Sequence, residues 1–250
     1  MAASYFITDT GRIRELNQDF AYRSDAEVGL LPNLYVVADG MGGHNAGEYA
    51  SRYTVDTVAA NIVQSQETNA SRALDLALKE ANRGLQEEGA ANPAMYGMGT
   101  TFVAASVSGS RLLVANVGDS RLYVLHAPSR IRQVTVDHSY VEELIQAGKV
   151  DRETARTLPN RNIITRAVGA EQELVVDFYR EDLLDGDILL LCSDGLTNML
   201  TDDRIAQIVF ENRSLETAAD RLLYEANMAG GQDNISVVLV NPFDTGRWPK

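Results

Sequence analysis

The sequence holds a single cysteine and no apolar run long enough to span a bilayer, which takes about 20 residues. The lone thiol, Cys192, excludes an internal disulfide and points to a reducing compartment. It lies within the apolar run Ile188 to Ser193 and reads as a core residue, not a nucleophile. Residues 1 to 6 lack the basic region and long apolar core of a signal peptide. The expectation is a cytoplasmic protein with no membrane partner. Basic residues are scarce as well, 22 Lys and Arg against 35 Asp and Glu, for a net charge of −13. That balance argues against nucleic acid and anionic membranes. It suits solubility, or a protein that collects divalent cations. Several catalytic signatures are missing. There is no Gly-x-x-x-x-Gly-Lys phosphate loop and no Gly-x-Ser-x-Gly elbow. Asn198, not arginine, stands six positions after Cys192, and Gly97-x-Gly99 lacks the third glycine of a dinucleotide fingerprint.

What is present is an alternation of short apolar runs and amphipathic stretches across 250 residues, without repeat or linker. One domain, 1–250, is the simplest division. Strand-like runs are expected at 4–8, 34–38, 100–107, 111–117, 121–126, 174–179, 188–193 and 235–240. Helical periodicity covers 48–63, 70–87, 202–210 and 215–228. Ser139 to Glu142 has capping-box spacing, and a short second helix is expected over 151–157 before Pro159. The stretch 137–169 thus reads as a mostly polar helical insertion, and 89–99 reads as a loop. Ser108-Gly109-Ser110 and Gly118-Asp119-Ser120 both read as hairpin connections. Antiparallel pairing follows, and a doubly wound parallel sheet is unexpected.

One pattern recurs. The run Leu34 to Ala38 stops at Asp39-Gly40, and glycines follow at 42, 43 and 47. Leu113 to Val117 runs into Gly118-Asp119, and Ile188 to Ser193 into Asp194-Gly195. Gly230-Gly231-Gln232-Asp233 precedes the last strand, and Asp19 lies near the first. A single Asp-Gly is commonly a turn. Carboxylates repeated at glycine-flanked strand ends also suit hard cations, because bare backbone lets carbonyl oxygens approach an ion. Oxygen donors without matching His or Cys select magnesium, manganese or calcium over zinc. Two such ions bridged by one carboxylate activate water and neutralise a phosphoryl group. Arg14 is placed either to hold phosphate oxygens or to make a surface ion pair.

In order along the chain stand Arg14-Glu15-Leu16-Asn17-Gln18-Asp19, Val37-Ala38-Asp39-Gly40-Met41-Gly42-Gly43-His44, Gly97-Met98-Gly99-Thr100-Thr101 and Val117-Gly118-Asp119-Ser120-Arg121. Asn162 to Gly169, Leu191 to Leu196 and Gly231-Gln232-Asp233-Asn234-Ile235 complete the series. Together these resemble the metal-dependent serine/threonine protein phosphatases, the PPM or protein phosphatase 2C-like family, in compact bacterial form. The resemblance implies an α+β fold, a β-sandwich of two antiparallel sheets flanked by helices, with a flap within 137–169. It implies two tight magnesium or manganese ions and a weaker third. Asp39 would bridge the tight pair, the Gly40 carbonyl would join one ion, and Asp194 and Asp233 would hold the other. Asp19 would act through water, Arg14 would bind substrate phosphate, and Asp119 with Asp194 would hold the third ion. His44 would protonate the leaving group or play a structural part; Asn45-Ala46-Gly47 after it departs from the usual Ala-Gly-Gly. His126 and His138 read as structural or exposed. The implied partners are phosphorylated proteins, targets of a serine/threonine kinase, met by a monomer. The rival readings are a phosphatase dedicated to one regulatory protein of anti-sigma type and a non-catalytic pseudophosphatase. The complete set Asp19, Asp39, Asp194, Asp233 and Arg14 argues against the second.

Overall fold

A computed structural model describes residues 2–43, 45–155, 158–160 and 162–244. The chain begins with β1 (Ala3–Asp9), β2 (Asp19–Ser24) and β3 (Leu34–Met41). Two helices follow, α1 (Ala46–Gln64) and α2 (Ala70–Ala91), then β4 (Gly99–Thr100), β5 (Phe102–Ser108), β6 (Arg111–Val117), β7 (Arg121–His126) and β8 (Arg130–Gln133). Next come α3 (Tyr140–Gln146), α4 (Arg152–Ala155), β9 (Asp177–Asp182) and β10 (Asp187–Cys192). The chain closes with α5 (Asp194–Thr197), α6 (Asp202–Glu211), α7 (Leu215–Met228) and β11 (Ile235–Asn241).

The strands form two sheets, in the orders β1-β11-β10-β7-β8 and β2-β3-β5-β6-β9, with β4 beside the end of β3. All pairings between these strands are antiparallel. Alternation along the central strands builds a four-layer stack. Tyr35 and Val37 on β3 meet Leu189 and Leu191 on β10 and Val238 and Val240 on β11 between the sheets. The intervening Leu34, Val36 and Ala38 turn the other way, onto Val55, Val58, Leu74 and Leu78 of α1 and α2. Ile188, Leu190 and Cys192 likewise pack against Ile205, Val209 and Leu222 of α6 and α7. Strands buried on both faces read as continuous apolar runs, which is why these were the plainest strands in the sequence.

The α+β sandwich is as expected, with local corrections. Gly118-Asp119-Ser120 does not close a hairpin. β6 pairs with β5 and β9 while β7 pairs with β10 and β8, so this connection crosses from one sheet to the other. Consecutive strands usually pair, but in a sandwich a short link can instead join the layers. Helix α2 continues through Gly89 to Ala91, where a loop was expected, because Gly89 is buried against the Met95 carbonyl. Leu174 packs in the core ahead of β9, which starts only at Asp177. Strands β2 and β8 were not anticipated; they are edge strands whose charged residues hide the apolar pattern. The expected helix over 151–157 is observed as α4, with 156 and 157 outside the described residues.

Candidate functional site

The antiparallel registers bring the glycine-flanked aspartates to one end of the sandwich. Asp19, first in β2, is the direct register partner of Asp39 near the end of β3. Asp119 follows β6, Asp194 follows β10, and Asp233 stands just before β11. Strand ends converge because neighbouring strands run in opposite directions, so the end of one meets the start of the next.

Asp39 is held by its backbone. Its N–H donates to Thr101 Oγ1 (2.8 Å), and its carbonyl accepts from Thr101 N–H (2.9 Å) and Thr100 Oγ1 (2.9 Å). Thr101 Oγ1 in turn lies 2.7 Å from Ser120 Oγ, which ties this end of β3 to the link between the sheets. Gly40 donates its N–H to the Gln18 carbonyl (3.1 Å), and a Cβ there would sit 2.0 Å from the Gly47 carbonyl oxygen. Only glycine fits between those two backbones.

Asp19 is buried, and its Oδ2 accepts from Ser193 Oγ at 2.7 Å. The same Ser193 oxygen accepts from Ser236 N–H (3.0 Å), so one hydroxyl links β2, β10 and β11. Asp194 opens α5, and its Oδ2 accepts from Asn198 Nδ2 at 2.9 Å. The loop carrying Arg14 is buttoned down by Asn234. Asn234 Oδ1 accepts from Gln18 N–H (2.8 Å), and its Nδ2 donates to the Thr10 (2.9 Å) and Leu16 (2.8 Å) carbonyls. Arg14, 52% exposed, donates from Nη2 to Asp233 Oδ2 at 2.8 Å. Asp119 is 9% exposed, and a polar cleft of about 210 Å³ opens beside it and Asp194, walled by Arg121, Asp137, Glu142 and Arg152. His44 lies outside the described residues.

The electrostatics are those of an uncompensated acidic cluster. Burial pushes the Asp19 carboxyl up to about 7, against the Ser193 and Ser236 hydrogen bonds, with Asp194 and Asp233 adding repulsion. Burial, then the charges of Asp19, Asp194, Asp119 and Asp233, drives Asp39 well above the usual carboxylate range. Asp119 is raised by burial and by Asp194 and Asp137, and Asp194 is raised to about 6 by burial and Asp233. Two buried oxygens, Asp19 Oδ1 and Asp194 Oδ1, have no hydrogen-bond partner among the described residues. Orphaned buried acceptors and mutually repelling carboxylates fit cations of the magnesium or manganese type. Among the described residues no three His, Cys, Asp or Glu side chains stand close enough together to hold an ion by themselves.

The structure therefore brings together Asp19, Asp39, Gly40, Asp119, Asp194, Asp233 and Arg14. Sequence reasoning assigned no part to Thr100, Thr101, Ser193, Asn198 or Asn234. For Ser193 and Asn234 the available signal was adjacency to an aspartate, in Ser-Asp-Gly and Asp-Asn; Thr100, Thr101 and Asn198 have no aspartate beside them in the sequence.

Residues 12–228 match the family model described as Protein phosphatase 2C. The serine/threonine phosphatase stp of Listeria welshimeri is 40% identical, over 97% of this chain and 97% of its own length. The solved structure of serine/threonine phosphatase Stp1 from Staphylococcus aureus superposes with a TM-score of 0.89 at 35% identity, covering 96% of this chain and 94% of that one. The catalytic domain of the serine threonine protein phosphatase PstP, solved in complex with 2 manganese ions, gives a TM-score of 0.83 at 31% identity over 96% and 97% of the two chains. A sandwich that closes one end with five aspartates and an arginine, carried by a chain this similar along its whole length, belongs to the protein phosphatase 2C family.

Proposed function

We propose that this chain is a metal-dependent protein phosphatase that hydrolyses phosphoserine and phosphothreonine on other proteins. The observation that carries this reading is the aspartate cluster, with two orphaned oxygens, set beside an exposed arginine. Asp39, Gly40, Asp194 and Asp233 would hold two tight magnesium or manganese ions, and Asp119 with Asp194 a weaker third. Bound there, such ions supply Lewis acidity that lowers the pKa of water and neutralises phosphoryl charge.

The chain's own residues account for the rest. Thr100 and Thr101 hold the Asp39 backbone from both sides, so its carboxylate stays in place as substrate binds. Asp19, whose Oδ1 has no hydrogen-bond partner among the described residues, would orient water in the cluster. Arg14, half-exposed and paired with Asp233, can swing its planar fork onto the phosphate oxygens. Cys192 takes no part, since it is buried and burial pushes its thiol far up, away from thiolate. Water is then the nucleophile, attacking phosphorus in line with no phosphoenzyme. On sequence grounds His44 protonates the departing serine or threonine oxygen. The segment 137–169, beside the cleft, is the flap that meets the substrate. Among the described residues no helix is long and apolar enough to cross a membrane. We place the enzyme in the cytoplasm, as a monomeric single domain acting on targets of a serine/threonine kinase.

The test is hydrolysis of phosphoserine, phosphothreonine and phosphotyrosine peptides with EDTA, magnesium or manganese. Activity on the first two that requires a divalent ion is expected. Full activity in EDTA would falsify the reading.

A further inference from the structure

His138 donates its backbone N–H to the Gly118 carbonyl (3.0 Å), and its ring Nδ1 accepts the Gly118 N–H (3.0 Å). Both polar groups of Gly118 are therefore held by one residue. Gly118 sits at φ +102°, and a Cβ there would meet the Thr101 side chain at 2.6 Å, so the loop passes as bare backbone. Asn116 Nδ2 adds a donor to the Gly118 carbonyl (3.3 Å). The next residue is Asp119.

An amide N–H can only donate, so Nδ1 is the acceptor and the ring proton sits on Nε2. That proton is donated to Asp177 Oδ2 at 3.0 Å. Arg166 Nη1 lies 3.1 Å from Nε2 but, as a donor itself, spends its hydrogens on Asp177 Oδ1 (3.0 Å) and the Val175 carbonyl (3.3 Å). The His138 carbonyl accepts from Thr165 N–H (2.8 Å). The imidazole is 8% exposed, and burial beside Arg166 keeps its pKa below the usual histidine range, so the neutral ring is the working form.

We propose that His138 is the positioning residue for Asp119, its ring clamping the Gly118 amide on one side and Asp177, the first residue of β9, on the other. The site served is the weaker ion site assigned to Asp119 under the proposed function, and on that reading the inference rests. His138 touches no substrate; it sets where the Asp119 carboxylate points and couples that position to the flap.

The two ring nitrogens can be tested apart. Asparagine can place its oxygen where Nδ1 stands and keep the Gly118 bond, while glutamine can place its nitrogen near Nε2 and keep Asp177. His138→Gln should speed exchange of the Gly118 amide hydrogen in the metal-free protein about tenfold, the scale of one lost hydrogen bond. It should also weaken the weakest manganese site in calorimetry by roughly ten- to a hundredfold, as loss of a ligand's supporting partner does. His138→Asn should keep Gly118 protection and the manganese isotherm near wild type. Equal acceleration of Gly118 exchange in both variants, or none in His138→Gln, overturns the proposal. Because the exchange readout needs neither metal nor turnover, it decides the positioning role even if the chain hydrolyses no phosphopeptide.

Discussion

The two ends of the acidic cluster are built differently. Asp19 and Asp39 are register partners on adjacent strands, and each is locked by hydroxyls from distant parts of the chain: Ser193 for one, Thr100 and Thr101 for the other. Asp119 stands on a three-residue link between the sheets, and that link leans on His138. A carboxylate within a sheet inherits the rigidity of the ladder, whereas one on a link is only as fixed as its props. On the proposed assignment Asp39, of the first region, serves the tight ions and Asp119, of the second, the weak one, while Asp194 serves both sites. Ion affinity is then expected to follow how firmly the backbone is held as well as which residue type is present.

The strongest way to break this comparison is Asp39→Asn, nearly isosteric and leaving the Thr100 and Thr101 bonds intact. Turnover of a phosphopeptide with manganese should fall on the order of a thousandfold, the scale set by losing one preorganised electrostatic group. Circular dichroism should show the fold unchanged. Activity near wild type would remove Asp39 from the centre.

His44 sharpens the chemistry without touching the scaffold argument. A serine alkoxide needs a proton as it leaves, and a nitrophenolate does not. His44→Ala should slow phosphoserine-peptide hydrolysis by roughly a hundred- to ten-thousandfold while largely sparing p-nitrophenyl phosphate. Equal losses on both substrates in kcat at saturating manganese would assign the proton to another source.

Asp119→Ala addresses the propped region alone. Phosphopeptide activity should drop about ten- to a hundredfold, the range seen when a site's supporting group is lost. Calorimetry should still find the two tight manganese sites. Loss of a tight site instead would move Asp119 into the main centre and erase the contrast between the regions.

The smallest effect concerns stability. Folding raises Asp19 from an ordinary 3.8 to about 7, so the folded chain binds that proton more tightly than the unfolded chain does. Stability from this group is complete below about 3.8 and is lost as pH rises through about 7. Metal-free Asp19→Asn should therefore melt a few degrees above metal-free wild type at pH 8 and level with it near pH 4. A gap that is unchanged or wider at low pH would show that Asp19 is not held protonated by its surroundings.

Much of the fold could be read from residue order. The apolar runs of β3, β6, β10 and β11 are buried on both faces and announce themselves, and α7 shows its period plainly. The glycine-flanked aspartates were visible for the same reason, since Asp-Gly after an apolar run is a local signal. Edge strand β2 was not, because Asp19, Arg23 and Ser24 leave too little apolar pattern over six residues.

By itself, then, the sequence determined the buried strands and the long helices, that oxygen donors would gather at strand ends, and which family those motifs resemble. These are short-range properties, set by side-chain alternation and by glycine's freedom next to a carboxylate. Only the tertiary structure decided which strands share a sheet, and so that 118–120 crosses between layers and is not a hairpin. It alone paired Asp19 with Asp39, brought the Ser193 hydroxyl at the start of α5 onto Asp19, and set His138 against Gly118. Those partners lie 20 to 174 positions apart. Pairing of that kind is chosen by the burial of two sheets against each other, a property of the whole chain that no local window of sequence contains.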